Sequence, residues 1–494
     1  MEALSAARSE RGCEPRRPPL AGYGARRMPA PAPLTDAYAR RLDDLLAELG
    51  RRHGVPGAVC GVLSGDQTAV ATWGVANAAT GVEVTPDTLF QLGSLSKLYT
   101  TMLLLQAQAA GLVSLDEPVR AQLQEFSVAD PGATIEITLR HLVTHTSGIE
   151  GDHLLDTGWN DDALQRYVAT LAGLGQIHPP EETYSFCNTG FGVAGRLLEV
   201  ATGDHFDRVL RRRLARPLGC HATLTLPQHA LMHRVAVGHV HAPGGAAARQ
   251  QRWSLARSNG PMGGVMAPVA DVLAFARLHV EAGRGPDGSD LLVPAAIAEM
   301  QEPQVESPLP GEEQALGWTV RRWGALVCLA QDADTIGQRA FLRVVPERRF
   351  ALCVMTNSPP GAALARELIP RVAADLLDVD ASPVVARSPA SPPLDPERLG
   401  GSYERLHQRV EVSQDPDTGR LVADAEPSGV LGALGIGPMR LELRPLDAEA
   451  GAFLALDPRA GVDEVVVFAW PGEADADADA SGVYIDGRLH RRAD

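Results

Sequence analysis

The stretch FQLGSLSKLYTTMLLL, residues 90–105, decides the fold, because it places a hydroxyl and an amine at the start of an apolar helix. Ser94 and Lys97 are three residues apart, which puts both side chains on one helix face. The first N–H groups of a helix have no partner within the helix, and the helix dipole favours negative charge there. The pattern therefore predicts a serine nucleophile that is activated by a lysine base.

The basic residues of the chain support this interpretation. Of its 45 basic residues, 44 are Arg and one, Lys97, is Lys. Arginine keeps its proton in proteins, whereas a desolvated lysine loses its proton near neutral pH and then acts as a base. The simpler alternative is that Ser94 caps the helix and Lys97 is a surface charge. The unique lysine favours the catalytic interpretation.

Four segments of the chain together form a recognisable set of motifs. They are F-x-x-G-S-L-S-K (90–97), LVTHTSGI (142–149), FCNTGFGVAGRLLEVATG (186–203) and TIGQRAFLRVVPERRFALCVMTN (335–357). These segments resemble the serine β-lactamase-like family, in particular its group of class C β-lactamases, D-amino-acid peptidases and esterases, and they follow the family's order between about residues 37 and 377. The resemblance implies an α/β (α+β) fold, in which helices flank an antiparallel sheet and a helical region is inserted at about residues 98–320.

Hydrophobic periodicity predicts the elements around these motifs. The chain opens with an amphipathic helix at residues 35–52, followed by a hairpin whose strands are residues 58–63 and 68–75. Further helices are predicted at 161–172, 191–201, 204–214, 269–282 and 364–377, and further strands at 340–345 and 350–355.

Composition divides the chain into four predicted parts. Residues 1–34 form a disordered or mis-started tail, and residues 35–378 form the β-lactamase-like serine hydrolase domain. A linker rich in Pro, Ser and Ala covers residues 379–396. Residues 397–494 form a small β-rich domain, which resembles the lipocalin-like appendages of the family. Because few contacts are expected to cross such a linker, we expect truncation near Ser388 to leave a folded core.

The second motif of the family, Tyr-x-Asn, supplies a phenol that exchanges protons with the lysine and an amide that orients the substrate. Here it reads Phe186, Cys187 and Asn188. The resemblance thus implies substrate binding by Asn188, whereas the phenol is absent. Tyr184 lies two residues earlier, and in an extended segment it points to the same side as Phe186. Tyr184 is a candidate substitute proton shuttle, and the alternative is a packing role.

The third motif of the family, Lys-Thr-Gly or His-x-Gly, reads Gln331, Asp332 and Ala333 here. The Gln331 amide replaces the cation of the family motif. The methyl group of Ala333 replaces a glycine hydrogen and narrows the space in which a substrate approaches the strand backbone. Gln331 offers a hydrogen bond to a substrate carbonyl, but no cation for a carboxylate. The resemblance implies an oxyanion hole formed by the backbone N–H groups of Ser94 and Asp334, which both changes leave in place.

Composition argues against several other classes of protein. The formal net charge of −16 argues against nucleic-acid binding, and no apolar run is long enough to span a membrane. The basic first 27 residues lack the apolar segment of a secretion signal, and six scattered cysteines indicate free thiols in the cytoplasm. The histidines between residues 221 and 241 lack metal-ligand spacing, so we predict no metal and no cofactor.

These features predict a serine acyl-transfer enzyme that acts on a small molecule. It is an esterase or amidase if water accepts the acyl group, and a transacylase if a second small molecule does. The altered second and third motifs argue against true β-lactamase activity. The alternative is a repurposed family member that binds or tailors a small molecule without hydrolysis. Lys97 favours the enzyme, whereas Phe186, Gln331 and Ala333 favour the alternative.

Overall fold

The structure is a computed structural model that describes residues 31–241, 247–251, 253, 255–382, 395–447, 451–470 and 479–493. Most of the predicted tail, residues 1–30, lies outside the described residues. So does most of the predicted linker, residues 383–394.

The β-strands form a central sheet, a closed C-terminal barrel and two short ribbons. In chain order, the strands of the described residues are β1 (Gly57–Ser64), β2 (Gln67–Asn77), β3 (Val82–Glu83), β4 (Phe90–Gln91), β5 (His239–His241), β6 (Ala247–Arg249), β7 (Met266–Ala267), β8 (Val305–Glu306), β9 (Glu312–Gln314), β10 (Thr319–Trp323), β11 (Leu326–Thr335), β12 (Gln338–Val345), β13 (Phe350–Thr356), β14 (Gly401–Arg405), β15 (Gln408–Gln414), β16 (Leu421–Pro427), β17 (Met439–Asp447), β18 (Ala452–Asp457), β19 (Val462–Ala469), β20 (Gly482–Ile485) and β21 (Arg488–Arg492). The antiparallel sheet has the order β3-β2-β1-β13-β12-β11-β10-β9-β8, and β14 to β21 close the barrel.

Helices pack on both faces of the central sheet. The α-helices of the described residues are α1 (Asp36–Arg52), α2 (Ser96–Ala109), α3 (Val119–Gln122), α4 (Pro131–Glu136), α5 (Leu139–Val143), α6 (Ala163–Ala169), α7 (Thr189–Thr202), α8 (Phe206–Leu210), α9 (Pro227–Ala230), α10 (Gly260–Gly263), α11 (Val269–Val280), α12 (Pro294–Gln301), α13 (Gly361–Leu377), α14 (Pro396–Leu399) and α15 (Gly429–Ala433). Short 3₁₀ segments (Gly93–Leu95, Thr170–Gly173, Arg257–Asn259, Pro346–Arg348) and one π segment (Arg211–Ala215) accompany them.

The central sheet separates two hydrophobic cores. On β12, Leu342 and Val344 pack into the core that contains α2 and α7, whereas Phe341 and Val345 pack into the core that contains α1 and α13. Successive side chains of a strand point to opposite faces, so β12 is apolar along most of its length because it serves both cores. Helix α2 lies almost wholly inside the first core, which fixes the position of the residues at its start.

The predicted fold class is confirmed, with one correction to its extent. The opening helix, the hairpin and the closing helix correspond to α1, β1 with β2, and α13. The inserted helical region ends earlier than predicted, because β8, β9 and β10 belong to the sheet. These strands have two to five residues, too few for a clear alternation of apolar and polar side chains. The predicted β-rich domain is the eight-stranded barrel.

The barrel is attached to the first domain through polar contacts. Arg405 and Arg488 of the barrel both form ion pairs with Asp152. The N–H of Phe186 donates to the carbonyl of Gly487, at 2.9 Å, in the turn between β20 and β21. The expectation that few contacts cross the domain boundary is therefore wrong. Composition indicates where a linker lies, but not which surfaces the joined domains bury against each other.

Candidate active site

Ser94 and Lys97 come together at the start of α2, as the sequence predicts. The Lys97 Nζ lies 2.8 Å from the Ser94 Oγ. Ser94 is part of the 3₁₀ turn Gly93–Leu95 that leads into α2, and it is partly exposed in a segment whose neighbours are buried. The Ser94 hydroxyl is therefore accessible to a small molecule, while helix α2 behind it is packed in the core.

Gly93 allows the end of β11 to approach Ser94 closely. Its φ of 51° is in the left-handed region, and a Cβ at this position would lie 2.8 Å from the carbonyl oxygen of Asp334. Both constraints require glycine here. β10 pairs with β11 only as far as Ala330, so the segment from Gln331 onwards has a free edge on that side among the described strands. This edge faces the Ser94 turn.

The surroundings of Lys97 favour its neutral form. Its side chain is fully buried, and Nζ also donates to the carbonyl oxygen of Met262, at 3.1 Å. The rings of Phe186 and Phe191 lie 4.7 Å and 5.5 Å from Nζ. Desolvation, followed by the charge of Arg488, lowers the pKa of Lys97 to about 7. A lysine with this pKa accepts a proton from a neighbouring hydroxyl at neutral pH.

Phe186 occupies the position where the family has its tyrosine. Two basic side chains contact its ring. The Arg488 Cζ lies 4.4 Å from the ring centroid, and the Lys97 Nζ lies 4.7 Å from it. The His145 ring stacks on Phe186 at 4.8 Å, and its Nδ1 accepts the Cys187 N–H. Burial, and then the charges of Lys97 and Arg488, lowers the pKa of His145 well below its usual value. His145 is thus a neutral packing residue.

Tyr184 and Phe186 pack on the same histidine, as expected for an extended segment. The Tyr184 ring lies 5.6 Å from the His145 ring, edge to face. Within the described residues, its hydroxyl forms no hydrogen bond with Ser94 or Lys97. Burial raises the pKa of Tyr184. This placement favours the packing role over the substitute proton shuttle.

Asn188 points to a buried cluster that was not predicted from the sequence. Its Nδ2 donates to the Asp152 Oδ1, at 2.7 Å. The Asp152 Oδ2 lies 2.5 Å from the Arg405 Nη1 and 2.9 Å from the Arg488 Nε. Burial alone would raise the pKa of Asp152, but the charges of the two arginines outweigh it and hold that pKa far below its usual range. The cluster therefore contains a permanent carboxylate.

The predicted residues of β11 lie beside Ser94. Gln331 is buried, and its Nε2 donates to the carbonyl oxygen of Asp332, at 3.0 Å. A Cβ added to Gly93 would lie 3.3 Å from the Cβ of Ala333. Asp334 follows Ala333 at the same edge of the strand. The edge of β11 thus runs past Ser94. This position is the one that the predicted oxyanion hole and the predicted contact of Gln331 with a substrate carbonyl require.

The described residues contain neither a cluster of metal ligands nor a helix that could span a membrane. No group of three or more His, Cys, Asp or Glu side chains is arranged to hold a metal ion there. None of the described helices is both long enough and apolar enough to cross a bilayer. The five described cysteines are buried and free.

Comparison with known proteins agrees with the fold. Residues 42–377 match the Beta-lactamase family, so the chain belongs to this family. It is 39% identical to penicillin-binding protein 4 of Amycolatopsis lactamdurans over 376 residues, which cover 74% of this chain and 97% of that protein.

Solved structures resemble both domains. The structure of SurE has a TM-score of 0.71 and 26% identity, and the match covers 92% of this chain and 99% of that one. A structure of SurE with D-Leu gives a TM-score of 0.68, 25% identity and coverage of 93% and 100%. A class C β-lactamase from Rhodobacter sphaeroides, at 23% identity, shares the fold with a TM-score of 0.56 over 67% of this chain and 99% of that chain.

Proposed function

We propose that this chain transfers an acyl group of a small molecule through a covalent intermediate on Ser94, with Lys97 as the base. The observation that carries the proposal is the 2.8 Å contact between the Lys97 Nζ and the Ser94 Oγ in a site that lowers the pKa of the lysine to about 7. The family contains penicillin-binding proteins and β-lactamases, which is consistent with acyl transfer.

In the proposed reaction, the Ser94 Oγ attacks the acyl carbon of the donor and gives its proton to the Lys97 Nζ. The carbonyl oxygen becomes negative and is stabilised by the N–H groups of Ser94 and Asp334. The bond between the acyl carbon and the leaving group then breaks. The Lys97 ammonium gives its proton to a departing alcohol, whereas a thiol leaves as the thiolate and Lys97 loses its proton to solvent. Water or a second small molecule then attacks the acyl carbon and gives its proton to the Lys97 Nζ, the bond between the acyl carbon and the Ser94 Oγ breaks, and Lys97 returns the proton to Ser94.

The preferred donor in this proposal is an ester or thioester. An amide nitrogen must be protonated before it leaves, and Phe186 provides no phenol for that step. The SurE structure with D-Leu supports a D-configured amino-acid unit in the acyl donor or the acceptor. A cytoplasmic location is also part of the proposal, and the free, buried cysteines support it.

The test is intact mass spectrometry after exposure to a fluorophosphonate, which phosphonylates activated serines whatever their substrate. We expect one adduct, located on Ser94 by peptide mapping. Ser94→Ala serves as the negative control. Ser96→Ala is the matched control, because the Ser96 Oγ only accepts the Val265 N–H at 2.9 Å. An unlabelled wild-type protein, or an adduct on another serine, contradicts the proposal.

The second candidate is a family member that binds or tailors a small molecule without forming an acyl-enzyme. Two observations favour it: the Asn188 amide is bonded to Asp152, and the Gln331 amide is bonded to its own neighbour. Both side chains were predicted to hold the substrate. A wild-type protein that stays unlabelled by the fluorophosphonate, yet binds D-Leu in calorimetry, would support this candidate.

A further inference from the structure

A cavity of about 610 Å³ lies between the barrel and the central sheet. Its walls come from β10, β11, β12 and α13 on one side and from β17, β18 and β19 on the other. Phe341 lines this cavity and packs into the core of α13, whereas its neighbour Leu342 packs into the core of α2. The cavity is therefore on the face of the sheet opposite to Ser94, and its volume is typical of small-molecule sites, which are common at domain interfaces.

Most charged groups of the cavity wall neutralise one another. Arg321 and Arg343 both pair with Asp332, and Arg444 pairs with Asp463. Burial, and then the charge of Asp486, raises the pKa of Glu464, which reduces the negative charge near the barrel wall. These groups form the framework of the cavity and leave little charge for a ligand.

Arg322 and Arg366 differ from these arginines because no described residue forms a hydrogen bond or an ion pair with the side chain of either of them. The Arg366 side chain is exposed to solvent, and it lines the cavity together with Ala362 and Ile369 of the same helix face. Packing around it lowers the pKa of Arg366 through desolvation. The guanidinium nevertheless keeps its charge, so its N–H donors are available to an anion.

The rest of the lining is suited to an apolar body. Phe341 and Trp323 border the cavity from the sheet, and Leu454 and Val465 border it from the barrel. Asp463 lies on the same barrel wall, and its carboxylate opposes a ligand of high negative charge. A singly charged anion with a hydrophobic part matches this wall better than a phosphate does.

We propose that this cavity binds a small organic carboxylate whose carboxylate group pairs with Arg366 and whose apolar part packs between Phe341 and Leu454. Guanidinium and carboxylate form bidentate, charge-assisted hydrogen bonds, which gives the ligand a fixed orientation. The inference is independent of the chemistry at Ser94, because none of its residues belongs to the catalytic site.

The test is calorimetric titration of the full chain with a panel of carboxylates: butyrate, octanoate and 4-phenylbutyrate, each paired with its neutral amide. We expect at least one acid to bind and its amide to bind at least about tenfold more weakly, since one charge-assisted pair is lost. Trp323 lines the cavity, so its fluorescence should change on binding. If no acid of the panel binds at 10 mM, or if each amide binds as well as its acid, the proposal is wrong.

Two variants locate the site. Arg366→Gln should weaken the acid at least about tenfold without changing the affinity for the amide. Arg371→Gln is the matched control: Arg371 lies on the same helix, pairs with Glu367 and does not line the cavity. Val465→Trp fills the cavity from the barrel and should abolish binding. Undiminished binding in both Arg366→Gln and Val465→Trp overturns the assignment.

A final arm separates this site from the catalytic one. Ser94→Ala, and wild-type protein that carries a fluorophosphonate adduct if one forms, should bind the acid as the untreated wild type does. Loss of binding when Ser94 is blocked would place the carboxylate in the catalytic cleft and overturn the proposal. Absence of any adduct contradicts the proposed function alone, because Ser94→Ala still tests the cavity.

Discussion

Lys97 and Asp152 are both buried ionisable residues of the same site, but their surroundings have opposite effects on their charge. The surroundings of Lys97 favour its neutral form, and those of Asp152 favour its charged form. Among the described residues, Lys97 has no carboxylate within ion-pair distance, and desolvation lowers its pKa to about 7. Asp152 has two guanidinium partners and an amide donor, which keep it ionised. A buried amine without an oppositely charged partner can act as a base at neutral pH, whereas a buried carboxylate with cationic partners stays ionised and holds those partners in place. The first suits catalysis, and the second suits the junction between two domains.

The largest expected effect comes from making the charge of Lys97 permanent. Lys97→Arg should lower the rate of Ser94 phosphonylation by about a hundredfold to ten-thousandfold, because arginine does not lose its proton. Lys97→Met is the matched control for folding: it should also lose reactivity but keep the melting temperature, since no described carboxylate loses an ion-pair partner. Equal labelling rates for Lys97→Arg and the wild type would remove Lys97 from the mechanism.

The next effect comes from removing the charge of Asp152. Asp152→Asn leaves Arg405 and Arg488 without a carboxylate at this site, and we expect the free energy of unfolding to fall by about 3–5 kcal/mol. Asp66→Asn is the control, because Asp66 pairs with Arg349 at a side-chain exposure of 87% and should change stability by at most about 1 kcal/mol. Denaturant titration measures both. A loss equal to that of Asp66→Asn would show that Asp152 is not an anchor.

These two residues also show what the sequence can predict. Ser94 and Lys97 are three positions apart on one helix, so helix geometry alone places them together. The hairpin of β1 and β2 and the closing helix α13 are equally local, and their periodicity predicts them. Local spacing is enough wherever the contact lies within one element.

The contacts of the Asp152 cluster cannot be predicted from local sequence spacing. Asp152 and Arg488 are 336 residues apart, and their contact depends on how the barrel docks on the first domain. No periodicity or motif spacing records that docking. The hydrogen bond between Asn188 and Asp152 could not be anticipated for the same reason, so the sequence predicted only a substrate-binding role for Asn188. The Asp486-Gly487 turn before Arg488 predicts a hairpin, but not the surface that the hairpin meets.

A smaller effect is expected from restoring the phenol beside Lys97. The Phe186 ring lies 4.7 Å from the Lys97 Nζ, so Phe186→Tyr places a hydroxyl-bearing ring next to the base. We expect nitrocefin turnover to rise by about a hundredfold from near zero, the lower end of what general acid catalysis contributes. Hydrolysis of a p-nitrophenyl ester should change little, because that leaving group needs no proton.

Tyr184→Phe is the control for this gain. Tyr184 forms no hydrogen bond with Ser94 or Lys97 in the described part of the chain, so the variant should match the wild type in both assays. If the wild type already turns over nitrocefin rapidly and Tyr184→Phe loses that activity, Tyr184 supplies the proton. The interpretation of Phe186 would then be wrong.

The smallest effect, about tenfold per pH unit, tests the lowered pKa of Lys97 directly. The reactive form of Lys97 is neutral, so the rate of Ser94 phosphonylation should be constant above about pH 7 and should fall about tenfold for each pH unit below it. An ordinary lysine, with a pKa of about 10.4, would place this transition more than three units higher. The rate constant for adduct formation, measured from pH 5.5 to 9.5, distinguishes the two.

The charge of Arg488 sets the direction of a second shift. This guanidinium lowers the pKa of Lys97, so Arg488→Met should move the inflection of the pH profile to a higher value. The methionine keeps an apolar contact with Phe186, and Arg405 still pairs with Asp152. The matched control is Arg491→Met: Arg491 also lies on β21, but it pairs with Glu182 and should leave the inflection in place. A profile of Arg488→Met that coincides with the wild type would show that desolvation alone, without the charge on the barrel, sets the pKa of the base.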